Sequence, residues 1–296
     1  MSEIQPTPDR SVLARIFLSP DQPRLRAGWR LLIQTILLVL FGAGVSIASS
    51  FLVPLNGSLL WSQILNFIII TGSVYIARRW LDKRSFESLG LKLDKNTLPD
   101  VLAGIGITFV QMGFIYILML GLGWLTFEGF AWQFDPIGVV IRSVITFFIA
   151  FMIVGWNEEL LSRGYHLQTI ASGLNLFWGV IISSAVFGLL HLGNPNATWV
   201  SAAGIFFAGI YLAYGYIRTK QLWLSMGLHL GWNFFEGVVF GFPVSGLDIY
   251  ALTRIKVHGP ELWTGGAFGP EAGLIVLPSL VLGGFLIYLY TRMRAN

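Results

Sequence analysis

Long apolar runs separated by short polar connections set the rhythm of this chain. A bilayer-spanning helix needs roughly 20 mostly apolar residues. Eight stretches come close to that, at about 31–54, 58–77, 101–126, 137–160, 174–192, 197–217, 222–241 and 272–291. Together they predict an all-α fold, a polytopic membrane helix bundle with about eight transmembrane helices. The fourth run is unusual: its apolar part stops at Glu158, while a helical pattern continues to about Ala171. The longest polar connections are 78–100 and 242–271, and the second is rich in Gly and Pro. It reads as a partly ordered loop or a re-entrant segment. The chain then divides into an N-terminal segment (1–30), a first group of three spans (31–126), a central part (137–241), and a loop with the last span (242–296).

Composition strengthens the membrane reading. Hydrophobic residues make up 55% of the chain and charged residues only 11%, against about 25% charged in an ordinary soluble domain. No soluble domain and no repeat is evident. The polar, Arg-bearing start is unlike a cleavable signal peptide, whose apolar region comes early. The chain has no cysteine, which excludes disulfides, a thiol nucleophile and thiolate metal sites. An even number of spans puts both termini on one side. Sixteen Lys and Arg then share that side, and three (Arg142, Arg254 and Lys256) fall on or near the other. The positive-inside rule makes the rich side cytoplasmic. A multi-pass protein of the cell membrane with both termini cytoplasmic is therefore expected, with the lipid bilayer as surroundings and no nucleic-acid partner. Glycine is abundant, at 34 residues. Gly227 and Gly231 form a small-x-x-x-small pair that predicts close packing of the seventh span.

Isolated polar residues in the apolar runs, Gln34, Gln63, Asn66 and Gln111, are expected to hydrogen-bond across helices. His166 and His258 read as surface residues. Three clusters ask for more. In "WNEELLSR", Glu158, Glu159 and Arg163 follow fourteen uncharged residues. A charge at the centre of a spanning helix costs about 2.5–3.5 kcal/mol on insertion scales. Glu159 and Arg163 are spaced i, i+4 in the favourable acid-first order and can neutralise each other. Glu158 lies about 100° round the helix from Glu159 and has no obvious cation. All three could equally mark the end of the span. In "AVFGLLHLGN", Phe187 and His191 are one turn apart. In "MGLHLGWNF", His229 and Asn233 share one face, both able to donate hydrogen bonds toward the same point. Glu236 extends that stripe but reads as a boundary residue.

Counting rise along straight helices puts Glu158 about 21 Å and His191 about 27 Å from a turn near Ser172–Gly173. The same count puts His229 and Asn233 only about 10–17 Å deep. The clusters can meet, though this count leaves His191 and His229 at different levels. A carboxylate in an apolar pocket can serve as a general base near neutral pH, and His and Asn donors can stabilise an oxyanion. No activated serine is evident, and HExxH is absent.

"EELLSR", "FGLLH" and "HLGWN" correspond, in that order, to EExxxR, FxxxH and HxxxN. With these motifs the chain resembles the CAAX-protease and bacteriocin-processing (CPBP, or Abi) family of intramembrane glutamic endopeptidases, which includes the type II CAAX prenyl endopeptidases. The motifs span 158–233, about a quarter of the chain. The resemblance implies that 137–241 is the catalytic core and that a membrane-associated peptide or protein is the substrate, as in CAAX-type processing or bacteriocin maturation and self-immunity. It implies that Glu158 activates water with help from His191, that His229 and Asn233 form the oxyanion hole, and that Glu159, Arg163 and Phe187 support them. No cofactor or metal is expected on this reading. Two alternatives stand beside it: a zinc-dependent membrane metalloprotease built on the same Glu and His residues, and a non-enzymatic immunity or transport protein.

Overall fold

The computed structural model describes residues 11–20, 22–52 and 58–294. The first ten residues of the N-terminal segment, Arg10 among them, and the end of the 31–54 run lie outside the described residues. A short helix, α1 (Val12–Phe17), precedes α2 (Ala27–Leu52), α3 (Leu59–Leu81) and α4 (Thr97–Gly121). Next come strand β1 (Leu125–Phe130) and the long α5 (Ile137–Gly173). Then follow α6 (Leu176–Gly193), α7 (Trp199–Thr219) and α8 (Trp223–Asn233), whose last turns Phe234–Val239 are π-helical. Strand β2 (Thr253–Val257) and α9 (Val276–Arg294) close the chain.

Among the described residues, α2 to α7 and α9 are the seven helices long and apolar enough to cross a membrane. Helices are the form in which such segments can lie in lipid, because each satisfies its own backbone polar groups. The protein is thus a multi-pass membrane helix bundle. The expected eighth helix is present as α8, with eleven α-helical and six π-helical residues. It is shorter than a full span and lies at the centre of the bundle, with every residue from Leu224 to Asn233 buried.

Glycine makes that central position possible. A Cβ on Gly227 would fall 2.3 Å from the Val101 carbonyl oxygen, and one on Gly231 would fall 2.1 Å from Thr108 Oγ1. The backbones of α8 and α4 therefore meet directly, as the small-residue spacing predicts. The start of α8 is also covered. Leu222 N–H donates to the Gly90 carbonyl at 2.7 Å, and the Trp223 indole donates to the Lys92 carbonyl at 2.9 Å. The 78–100 connection thus folds over the end of α8, which begins inside the molecule and not at its rim. Depth counted from a common plane is therefore too shallow for His229.

Polar residues tie the bundle together much as expected. Gln111 donates to the Ser279 carbonyl at 2.8 Å and accepts from Tyr211 at 2.6 Å. The Gln63 side chain and carbonyl accept from Asn157, and Gln34 donates to Ser73. Asn66 makes no such bond among the described residues. His166 departs from its surface reading: it is half-buried, with Nε2 3.4 Å from Gln34 Oε1. The 242–271 connection is folded along its length. It contributes β2, which pairs antiparallel with β1 (Leu125 opposite Val257) across a bulge between Phe127 and Gly129. It then forms three short helical turns, the last at Pro270–Ala272.

Candidate active site

Four helices bring the three clusters together. Glu158 and Glu159 lie where α5 changes from α- to π-helical geometry, which begins at Leu160. π-helical turns occur often at functional sites. Neighbouring bonds fix the junction in place: Trp156 donates to Thr71 Oγ1 at 3.0 Å, and Asn157 donates to Gln63. Phe187 and His191 come from α6. Gly209, from α7, contributes a carbonyl, and His229 and Asn233 come from α8.

Glu159 is fully buried, and its Oε1 accepts two bonds, from Arg163 Nη1 and from His229 Nδ1, each at 2.8 Å. Arg163 is buried as well. Its Nη2 donates to the Gly209 carbonyl at 3.0 Å, and its guanidinium lies 4.3 Å from the Phe187 ring centroid. The Phe187 ring stands edge-on to His229, with centroids 6.1 Å apart, and packs at 4.7 Å against His191. The expected Glu159–Arg163 pair therefore forms, but it also anchors a histidine, which the motif spacing did not suggest.

His191 is anchored in a parallel way. Its Nδ1 lies 2.8 Å from the Phe187 carbonyl oxygen. A carbonyl can only accept, so Nδ1 carries the proton and Nε2 points away from it. Both imidazoles thus use Nδ1 for anchorage and turn Nε2 toward Glu158. His191 Nε2 is 3.8 Å and His229 Nε2 is 3.7 Å from the same oxygen, Glu158 Oε2. That oxygen is buried and has no hydrogen-bond partner. Both separations exceed a hydrogen bond and suit bridging through a third group. The carboxylate lies on the wall of a cavity of about 310 Å³. His191, His229 and Asn233 line the same cavity.

Ser245 and Glu271 are among the lining residues that the sequence reading does not single out. Glu271 Oε2 accepts from the Ser245 amide at 2.9 Å and its hydroxyl at 2.6 Å, and Oε1 accepts from the Trp232 indole at 3.1 Å. Asn194 donates to the Ser245 carbonyl at 3.1 Å. These bonds hold the 242–271 connection against the cavity. The one available signal was an acid inside "GPEAG", in a chain with few charges. Glu236, fully buried, stands outside the cavity lining. Among the described residues no three His, Asp or Glu side chains gather in an arrangement that could hold a metal ion.

Fold and site together define a polytopic membrane helix bundle with a buried acid–imidazole centre. Residues 140–235 match the family model described as "Type II CAAX prenyl endopeptidase Rce1-like". Over 106 residues the chain is 31% identical to "Putative membrane peptidase YdiL" of Bacillus subtilis (strain 168). That alignment covers 36% of this chain and 41% of the relative, so the chain spans about two-fifths of the length of the curated protein it matches. Through this core the chain is similar to type II CAAX prenyl endopeptidases and to a bacterial membrane peptidase.

Proposed function

We propose that the protein is an intramembrane endopeptidase that hydrolyses a peptide bond of a membrane-associated protein or peptide. The observation that carries this reading is the convergence of two histidine Nε2 atoms on the unpartnered Glu158 Oε2 at a cavity wall. In the proposed reaction, a water held by Glu158 and the Nε2 lone pair of His191 attacks the carbonyl carbon. Its proton passes to Glu158, and general-base assistance of this kind contributes typically ~10²–10⁴-fold. The oxyanion takes hydrogen bonds from Asn233 Nδ2 and from His229 Nε2–H in its doubly protonated form. Collapse breaks the C–N bond, and Glu158 returns the proton to the leaving amine. No covalent intermediate forms. Glu159 fixes the His229 ring, Arg163 balances Glu159, and Phe187 packs both imidazoles.

The substrate class follows from the family likeness and from the site's enclosure in a membrane bundle. CAAX-type processing and bacteriocin maturation or self-immunity are the two settings proposed. The sixteen-to-three distribution of Lys and Arg supports cytoplasmic termini, and the cell membrane is the membrane proposed. The test is cleavage in reconstituted membranes, using substrates identified by comparing membrane peptides from cells carrying the wild type or Glu158→Gln. Glu158→Gln and His229→Ala are expected to abolish turnover while leaving the fold intact. Full activity in either variant would overturn the site assignment.

A further inference from the structure

A second polar centre lies beside the C-terminal end of α5, at Ser172, away from the cavity just described, and its charges do not balance. Asp82 is fully buried, and three arginines surround it. Arg30 bonds directly to Oδ1, Arg78 Nη1 donates to Oδ2 at 2.8 Å, and Arg24 Nη1 is 3.8 Å from Oδ1. All three arginines are themselves buried, at 6% exposure or less. Their remaining partners are neutral: Ser172 Oγ for Arg30, and Ser88 and Gln168 for Arg78. The Nε atoms of Arg24 and Arg30 have no hydrogen-bond partner. Among the described residues, no other acid lies within ion-pair distance of the three. Buried charges are normally paired, so two guanidinium charges here call for an anion. Burial, followed by repulsion from Arg30, holds the Arg24 guanidinium below its ordinary pKa.

A cavity of about 580 Å³ opens beside this cluster. Arg26, Arg30 and Ser172 line its polar end, together with the first residues of α2; Ile170, Ile182 and Val186 line its apolar wall. Among the described residues no acid lines it. The N-terminus of the 26-residue α2 adds the positive end of a helix dipole. Aromatic residues mark the level of a membrane–water interface here. Trp29 stacks on Phe17 at 5.0 Å, Trp178 is exposed, and α1 turns Val12 and Leu13 outward.

We infer that this cavity binds the phosphate headgroup of an anionic phospholipid, with the acyl chain along the Ile170–Ile182–Val186 wall. Arginine suits the task because its planar fork matches phosphate oxygens, and basic pockets between spanning helices recognise such headgroups. The apolar wall and the interface depth select a lipid over a free phosphate.

The test uses the full-length protein purified in neutral detergent. Native mass spectrometry and thermal unfolding are followed on titration with dioleoyl phosphatidylglycerol, dioleoyl phosphatidylcholine or inorganic phosphate. One phosphatidylglycerol per chain is expected to remain bound and to raise the unfolding temperature, while the other two additions do neither. Arg26 is exposed and outside the Asp82 cluster, so Arg26→Gln is expected to fold, as checked by gel filtration, and to weaken phosphatidylglycerol binding about fivefold. Equal retention of the two lipids overturns the inference, and so does unchanged affinity in Arg26→Gln. Stabilisation by inorganic phosphate equal to that by phosphatidylglycerol replaces the lipid with a soluble anion and overturns the assignment.

Discussion

Glu159→Gln isolates the part of the site that the fold depends on. The substitution keeps the side chain's shape and removes one charge from a pair whose members are 0% and 1% exposed. Removing one partner of a buried ion pair costs about 3–5 kcal/mol, because the other charge is left uncompensated. Arg163 would keep the Gly209 carbonyl and the Phe187 ring face. Those contacts offset part of the loss at about 1 kcal/mol each, so roughly 3 kcal/mol is expected near the lower end of that range. Arg163→Met leaves Glu159 with His229 Nδ1 as its remaining donor and should cost about the same. The double variant has no stranded charge at this point. It should lose about 3 kcal/mol, not the ~6 kcal/mol that independent sites would give.

The assay is equilibrium unfolding in mixed micelles for the wild type, both single variants and the double variant. A coupling energy near 3 kcal/mol is expected. Additivity within about 0.5 kcal/mol would refute the reasoning and make Arg163 a packing residue only. Activity separates the second role. Glu159→Gln and the double variant both lose the carboxylate that orients His229, so both should be impaired about 10–100-fold. Arg163→Met, which keeps that carboxylate, should retain more activity than either. If the double variant recovers activity, Glu159 does not act through His229.

Asn233→Ala should lower kcat by about 10²–10³-fold with little change in unfolding temperature, measured in the reconstituted cleavage assay. Gly227→Ala should destabilise severely, since its Cβ would meet the Val101 backbone; Gly106→Ala, whose Cβ meets nothing within 4 Å, should be neutral or stabilising by about 0.5–1 kcal/mol in the same unfolding assay. Exhaustive dialysis against a chelator should leave cleavage unchanged. Loss of activity that zinc restores would favour the metalloprotease reading.

Much of the fold was legible because lipid imposes a blunt rule: segments that cross it must be long, apolar and helical. That rule located α2 to α4, α6, α7 and α9 to within a few residues and the start of α5, whose continuation past Glu158 showed only in the helical pattern. It could not place α8 in depth. An apolar run of similar length can line the bundle's exterior or fill its centre, and only the partner's backbone at Val101 and Ile105 makes Gly227 and Gly231 mean the latter. The β1–β2 ribbon escaped for a related reason. Leu125 was absorbed into the end of the third apolar run, and its partner Val257 is more than a hundred residues away. Two short strands that stabilise each other only on meeting leave little local pattern.

The candidate site divides along the same line. Angular separation on one helix distinguished Glu158 from Glu159, since a rotation of about 100° per residue cannot present both acids to one cation. That argument treats a partner as a point. An imidazole has two nitrogens on different sides of its ring, so His229 reaches Glu159 with Nδ1 and faces Glu158 with Nε2. The two acids are on different faces of α5 and still converge on one residue. Spacing within a helix could show which acid was free of Arg163, but not that the paired acid orients a histidine of the same centre. Glu271 was further out of reach, because its place at the cavity depends on the Ser245 and Trp232 bonds that fold the 242–271 connection back over α8. Motif spacing records neighbours along a helix, whereas the ring that bridges two acids and the loop that covers it are set by tertiary contact.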